Sequence, residues 1–205
     1  MELVKIPSTK GEPQPGAPFG EGPNAALDKA LEIADSMGFD TTNYNGYVGA
    51  VDFSKEETAL DILAHLDVVP APSEKWTVTQ PFVPVVKDGK LYGRGSADDK
   101  GPAVAALVAM KAVKDLGIPL KKNVRLLLGT DEESGSEDIA YYYKSNSPAP
   151  ATFTPDANFP VTNVEKGRLN ARFTASFAKS DTLPQVVKID CGVRANVIPD
   201  SAYAE

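Results

Sequence analysis

Four groupings of acids and imidazole in this chain have the residue types and spacing that metal-assisted hydrolysis needs. Asp98 and Asp99 stand side by side in LYGRGSADDKGP, residues 91–102, after a turn punctuated by Gly93 and Gly95. A carboxylate held in a loop between a strand and a helix presents two oxygens outward and suits a metal bridge. His65 and Asp67 are two residues apart in an apolar run, and residues i and i+2 of a strand share a face. His65, the one histidine of the chain, can therefore ligate while Asp67 orients its ring from behind. Asp131-Glu132-Glu133 end another apolar run and precede Ser134-Gly135. One of these acids can bind metal while a neighbour acts as general base on a metal-activated water. Asp156 is fixed between Pro155 and Pro160 in TPDANFP. One imidazole with several carboxylates is a donor set for Zn²⁺ or Mn²⁺.

The elements that must carry these groups are legible in outline. Ala59–Val69 and Asn123–Gly129 are nearly continuous apolar runs, expected as strands buried on both faces. A helix is expected over Ala25–Met37, capped by Asn24 and ended by Gly38, and a second over Pro102–Leu116, opened by proline and stopped by Gly117. Tyr44–Phe53 reads as one strand, and Phe82–Val86 with Lys90–Tyr92 as a hairpin around Asp88-Gly89. Ser136 is expected to cap a helix over Glu137–Lys144, and Ala151–Pro155 to form a short strand leading to Asp156. The alternating stretches Arg168–Ala175, Val186–Ile189 and Gly192–Ile198 read as strands of a separate antiparallel piece. Buried strands alternating with helices indicate an α/β fold, a layered domain with a mostly parallel or mixed sheet. Open sheets of this kind gather ligands at the carboxyl ends of their strands, where all four groupings fall.

Composition narrows the partners. A net charge of −7 over 205 residues argues against nucleic acid and anionic membrane, both of which need a basic face. No apolar run approaches the roughly 20 residues that span a bilayer. Met1–Ser8 carries Glu2 and Lys5 and lacks a signal pattern. The lone cysteine, Cys191, allows no internal disulfide and reads as a small buried hydrophobe. A reducing, cytoplasmic setting follows as the expectation.

HLDVVP, GRGSADDKGP, GTDEESGS, TPDANFP and EKG occur in this order. Together they resemble the di-zinc metallopeptidase family of aminoacylases, carboxypeptidase G and carnosinases, and within it the bacterial dipeptidase V type, on DDKGP and DEESG above all. The resemblance runs over essentially the whole chain. It implies that His65, Asp98 and Asp156 hold one zinc, and that Asp98 bridges to a second zinc also bound by Glu133. It implies further that Glu132 is the general base, that Asp67 orients His65, and that the Asp98–Asp99 peptide is cis. Asn196, in GVRANVIPD, matches a lid asparagine that approaches the substrate. Mn²⁺ or Co²⁺ can replace zinc in such a centre. The implied substrate is a dipeptide or short peptide with a free N-terminus, and a monomer is favoured. A related aminoacylase, deacylase or carboxypeptidase is the alternative activity, and a non-catalytic metal- or peptide-binding fragment the alternative outside catalysis. The family supplies a second histidine to the second zinc after a lid domain, and this chain has none. The expectation is therefore a truncated chain with little or no peptidase activity by itself. Its catalytic part would be residues 1–167, and residues 168–205 the beginning of an incomplete α+β lid.

Overall fold

The computed structural model describes residues 1–158, 160–164, 166–167, 169, 171–176, 185–192, 198 and 201–205. The chain divides into two compact units, Met1–Pro160 and Val161–Glu205. In the first unit the elements are α1 (Glu21–Ser36), β1 (Asp40–Tyr44), β2 (Val48–Asp52), β3 (Thr58–His65), β4 (Val85–Lys87), β5 (Lys90–Tyr92), α2 (Lys100–Asp115), β6 (Asn123–Gly129), α3 (Glu137–Tyr142) and β7 (Ala151–Phe153). Five strands form one mixed sheet in the order β1-β2-β6-β3-β7. β3 lies parallel to both β6 and β7, while β2 runs antiparallel to β6 and to β1.

The period-2 alternation of strand side chains sorts the core. Val51, Ile62, Ala64, Leu126 and Leu128 face α1 and α2, which contribute Ala26, Leu27, Ala30, Leu31, Leu107 and Met110. Val48, Ala50 and Leu127 face the other way, onto Tyr142 of α3. Each fully buried leucine in this sandwich, Leu27 or Leu126 for instance, contributes about 1.5–3 kcal/mol. Gly49 lets α1 settle on β2: a Cβ there would lie 2.6 Å from Leu27 Cδ1.

Several expected boundaries move, each for a local reason. α1 starts at Glu21 with Gly20 as N-cap at φ 97°. Pro23 falls in the first turn, where its missing N–H is no loss, and Asn24 is not the cap but bonds Asp28 at 2.9 Å inside the helix. The strand expected over Tyr44–Phe53 is instead the end of β1, a turn and β2, because Asn45 and Gly46 take φ of 55° and 77°. β3 ends at His65, with Leu66–Val69 continuing outside the sheet. α2 begins at Lys100, so Pro102 is its third residue. Ser136 precedes α3 in a left-handed conformation (φ 57°) and makes no side-chain cap bond.

In the second unit β8 (Ile189–Cys191) pairs antiparallel with β9 (Ala202–Ala204). The described residues of 168–175 form no strand, and of Val186–Ile189 only Ile189 joins β8. Residues 193–197, Asn196 among them, lie outside the described residues. Cys191 is exposed, against expectation. Every described residue of this unit is exposed, so nothing among the described residues buries it.

Candidate metal centre

Parallel pairing brings three strand ends to one edge. His65, the last residue of β3, is opposite Gly129, the last of β6. Ile62 is opposite Phe153 of β7, so Asp156, three residues further on, comes level with His65. The segment after β6 is thereby placed beside His65, and the loop that precedes α2 delivers Asp98.

The imidazole is the hub. Nε2 of His65 stands 3.1 Å from Asp98 Oδ1, 3.5 Å from Asp156 Oδ2 and 3.8 Å from Glu132 Oε2. On the other side of the ring Nδ1 has the Asp67 carbonyl at 3.0 Å and Asp67 Oδ1 at 3.3 Å. Both neighbours of Nδ1 are acceptors, so Nδ1 keeps its proton and Nε2 is the atom turned to the carboxylates. Asp67 also binds the next segment, its two oxygens accepting the backbone N–H groups of Glu132 and Glu133 at 3.1 Å each. It fixes the ring and the Glu132-Glu133 pair in one frame.

The two runs of adjacent acids each divide their roles. The Asp98–Asp99 peptide is cis. Asp98 turns outward to Nε2, while Asp99 is fully buried and accepts the His65 backbone N–H at 3.1 Å. Asp131 turns away from the centre, buried, onto Lys10 Nζ at 2.7 Å and the Glu137 N–H at 3.1 Å. Glu132 and Glu133 form a 3-10 turn with Ser134 on the open side. Of the expected ligands, the structure gathers His65, Asp98 and Asp156 around one nitrogen, with Glu132 beside them. Glu133 is held through its amide on Asp67, and Asp98 is the nearby charge with the largest effect on its carboxyl.

The electrostatics of the cluster favour a cation. Burial works against a charged His65, but the hydrogen bond and charge of Asp67, followed by Asp99 and Glu132, outweigh it and raise the ring to about 10. Burial raises Asp99 to about 7, with Asp156 and Asp98 adding to it. Glu132 and Glu133 are raised as well, by burial first and then by neighbouring carboxylates. Nitrogen and oxygen donor atoms of His65, Glu132 and Asp156 all lie within 4.8 Å of one another. One imidazole with an oriented tautomer and this density of carboxylates fits a divalent cation of the zinc or manganese type. An apolar cavity of about 720 Å³, lined by Phe53, Ala106, Met110, Phe153 and Pro155, lies beside this cluster. It has no donor set, so the metal reading stays with His65.

Several supporting residues escape a reading of the sequence. Asp138 is buried in α3, and its carboxylate accepts the N–H groups of Thr130, Asp131 and Ile139 at 2.6, 2.9 and 2.7 Å. Lys100, also buried, donates to the carbonyls of Leu3 and Ile6 at 2.9 and 2.8 Å. An acid two residues after Ser136, and a lysine opening an apolar helix, are the only signals the sequence offers for either.

Comparison with known proteins places this geometry. A family model described as peptidase family M20/M25/M40 matches residues 62–190. The Bacillus subtilis (strain 168) protein YtjP is 40% identical over 208 residues, which covers 100% of this chain and 44% of that one. A Beta-Ala-Xaa dipeptidase of Lactobacillus delbrueckii subsp. lactis is 41% identical, covering 91% of this chain and 40% of its own length. The chain thus spans less than half the length of these relatives. The crystal structure of human carnosine dipeptidase 1 superposes with a TM-score of 0.63 at 25% identity, over 76% of this chain and 37% of that one. An M20 family metallo-carboxypeptidase of Sulfolobus solfataricus does so with a TM-score of 0.61 at 26% identity, over 75% of this chain and 35% of its own.

Proposed function

The chain belongs to peptidase family M20/M25/M40, and from that premise we propose that it carries the water-activating centre of a metal-dependent dipeptidase. The observation that carries this reading is the convergence of Asp98, Asp156 and Glu132 on His65 Nε2, at 3.1, 3.5 and 3.8 Å. His65, Asp98 and Asp156 would hold one zinc ion, and Asp98 with Glu133 would hold a second. Bound divalent ions supply Lewis acidity, polarising the scissile carbonyl and making water acidic near neutral pH. Glu132 takes the proton of the attacking water and returns it to the leaving amine. Asp67 keeps the His65 ring turned so that Nε2 faces the centre.

The substrate is a short peptide with a free amino end, in line with the Beta-Ala-Xaa dipeptidase relative. We assign residues 1–167 to part of the catalytic domain and residues 168–205 to the beginning of a lid, with Asn196 assigned to substrate binding on the sequence resemblance alone. By itself the 205-residue chain turns over little or no peptide, because its one imidazole serves a single metal.

A second assignment within the same centre has an observation of its own. Among the described residues, Glu132, His65 and Asp156 are the group whose donor atoms all lie within 4.8 Å of one another. Glu132 is then a ligand, and Glu133 is the base. Zinc loading of the purified chain, counted by elemental analysis after dialysis, tests both. The parent retains at least one ion, and His65→Ala retains none at that site. Glu132→Gln keeps its ion if Glu132 is the base and loses it if Glu132 is a ligand. A parent chain that retained no zinc, manganese or cobalt would sink the metal reading, and dipeptide turnover at an ordinary enzymatic rate would sink the claim of inactivity.

A further inference from the structure

The segment 7–20, rich in proline and glycine, crosses the sheet edge where the centre is built, and it touches two of the centre's segments within three residues. Ser8 is fully buried. Its hydroxyl donates to the Leu66 carbonyl at 2.6 Å, and its own carbonyl accepts the Val68 N–H at 3.1 Å. The grip falls on both sides of Asp67. Two residues on, the Lys10 ammonium reaches Asp131 Oδ1 at 2.7 Å, across 121 positions of sequence. Lys10 also lies 4.9 Å from the centroid of the Phe19 ring, and the backbone beside it is tied there by Gly11 N–H to the Phe19 carbonyl at 2.8 Å.

Asp131 is an unusual residue to leave to one surface cation. Its side chain is 0% exposed, whereas that of Lys10 is 39% exposed. It organises the turn that presents Glu132 and Glu133. Its carbonyl accepts the N–H groups of Ser134 and Ser136 at 3.2 and 2.8 Å, and its Oδ2 accepts that of Glu137 at 3.1 Å. It is also a further negative charge beside a centre that already holds Asp67, Asp98, Asp99, Glu132, Glu133 and Asp156. A buried carboxylate with its cation removed is strongly disfavoured. The turn 131–134 then has to move until the carboxylate reaches water or another donor.

We propose that Lys10 is a positioning residue of the metal centre: by pairing with the buried Asp131 it holds the turn 131–134 where Glu132 meets His65, while Ser8 fixes the facing segment 66–68. The proposal rests on the dipeptidase reading for its purpose, though not for its geometry.

Amide hydrogen exchange followed by NMR in the 205-residue chain tests it. The amides of Glu132 and Glu133, both bonded to Asp67, are compared with those of Leu126–Leu128 in the middle of β6. Lys10→Met is expected to speed exchange at Glu132 and Glu133 about tenfold or more while the β6 amides keep their rates. Lys10→Arg, which retains the cation, is expected to match the parent. Adding Asp131→Asn to Lys10→Met is expected to return most of the protection, since no buried anion then lacks a partner. Unchanged exchange at Glu132 and Glu133 in Lys10→Met overturns the proposal. So does a rise shared equally by β6, which would mark general loosening, or a double variant that recovers nothing. Cobalt affinity is measured alongside. A parent that binds cobalt should lose about tenfold in affinity on Lys10→Met, with no loss on Lys10→Arg. A parent that binds none counts against the dipeptidase reading, and the exchange result still decides the role of Lys10.

Discussion

Asp138→Asn should cost far more than an isosteric change on a short helix suggests. The carboxylate is 1% exposed, and burial pushes its pKa up while three backbone N–H groups pull it down. Oδ2 accepts two of them, from Thr130 and Asp131, and Oδ1 accepts the third, from Ile139. An asparagine can keep its oxygen toward the first pair only by turning its NH₂ against the Ile139 N–H. One charge-assisted bond, worth about 1.5–3 kcal/mol, is lost and two fall to neutral strength, near 1 kcal/mol each. Relief from burying a charge offsets part of this, leaving a destabilisation of about 2–4 kcal/mol. The strand end has been shaped for this carboxylate, since a Cβ at Gly129 would lie 2.4 Å from Asp138 Oδ2. Gly129→Ala should therefore destabilise as well, and by much less in an Asp138→Ala background, where the methyl has room. Urea unfolding followed by far-UV circular dichroism measures the cycle, with a coupling of about 1–3 kcal/mol expected. A change below about 0.5 kcal/mol for Asp138→Asn, within the range of ordinary surface substitutions, would falsify the account. Strict additivity of the Gly129 and Asp138 changes would refute it independently.

Four further outcomes are expected. On the proposed metal reading, metal and proton compete for His65 Nε2, whose pKa in the metal-free chain is raised to about 10. Apparent zinc affinity should therefore rise about tenfold per pH unit from pH 6 to 9 with release of about one proton, read by calorimetry in buffers of different ionisation enthalpy; pH-independent affinity would refute this. Burial lowers Lys100 from 10.5 to about 8, so between those values the unfolded chain holds a proton that the folded chain has lost, and stability rises with pH there by up to about 1.4 kcal/mol per unit. Subtracting the Lys100→Met unfolding profile from the parent's isolates that rise. His65 works the other way in the metal-free chain, its contribution being complete below pH 6.5 and lost as pH climbs toward 10, so His65→Gln should flatten that decline. Finally, Arg125→Met strands Asp61, which is 0% exposed and paired with the guanidinium at 2.9 and 3.1 Å. It should cost about 3–5 kcal/mol in urea, and a second change of Asp61 to an apolar residue should recover most of that.

The gathering of Asp98, Asp156 and Glu132 at His65 was legible in the sequence in outline because these side chains sit where chain direction alone puts them. A strand of continuous apolar residues ends at His65, another at Gly129, and parallel pairing then brings the segments after both to one edge. The α/β layering and the mixed sheet stem from the same runs. The turn at Asn45-Gly46 was legible too, since asparagine before glycine marks paired positive φ values, yet a single strand was expected there. Its neighbours Tyr44, Tyr47 and Val48 extend the β-prone run across it. α1 was expected to start late because Asn24 is a strong capping type, whereas the observed cap, Gly20, works through a backbone angle that no side chain advertises. The residues that hold the centre in place are of a different kind. Lys10, Asp138 and Lys100 carry no inward cue in the sequence, and Asp131 is not separated there from its two neighbours; only long-range contacts turn them inward. Asp61 shows where such a signal can be found: a carboxylate in the middle of the run TALDILAH cannot be buried without a cation, and the arginine of NVRLLLG stands directly opposite in the register, Asp61 to Arg125. Lys10 had no such cue, since nothing in the sequence tells Asp131 apart from Glu132 and Glu133, all three being candidates for the same chemistry. The split within each acidic run, Asp98 from Asp99 and Asp131 from Glu132, is therefore what a backbone had to decide. It places one carboxylate of each run where a cation can use it and the other where the protein supplies its own donors.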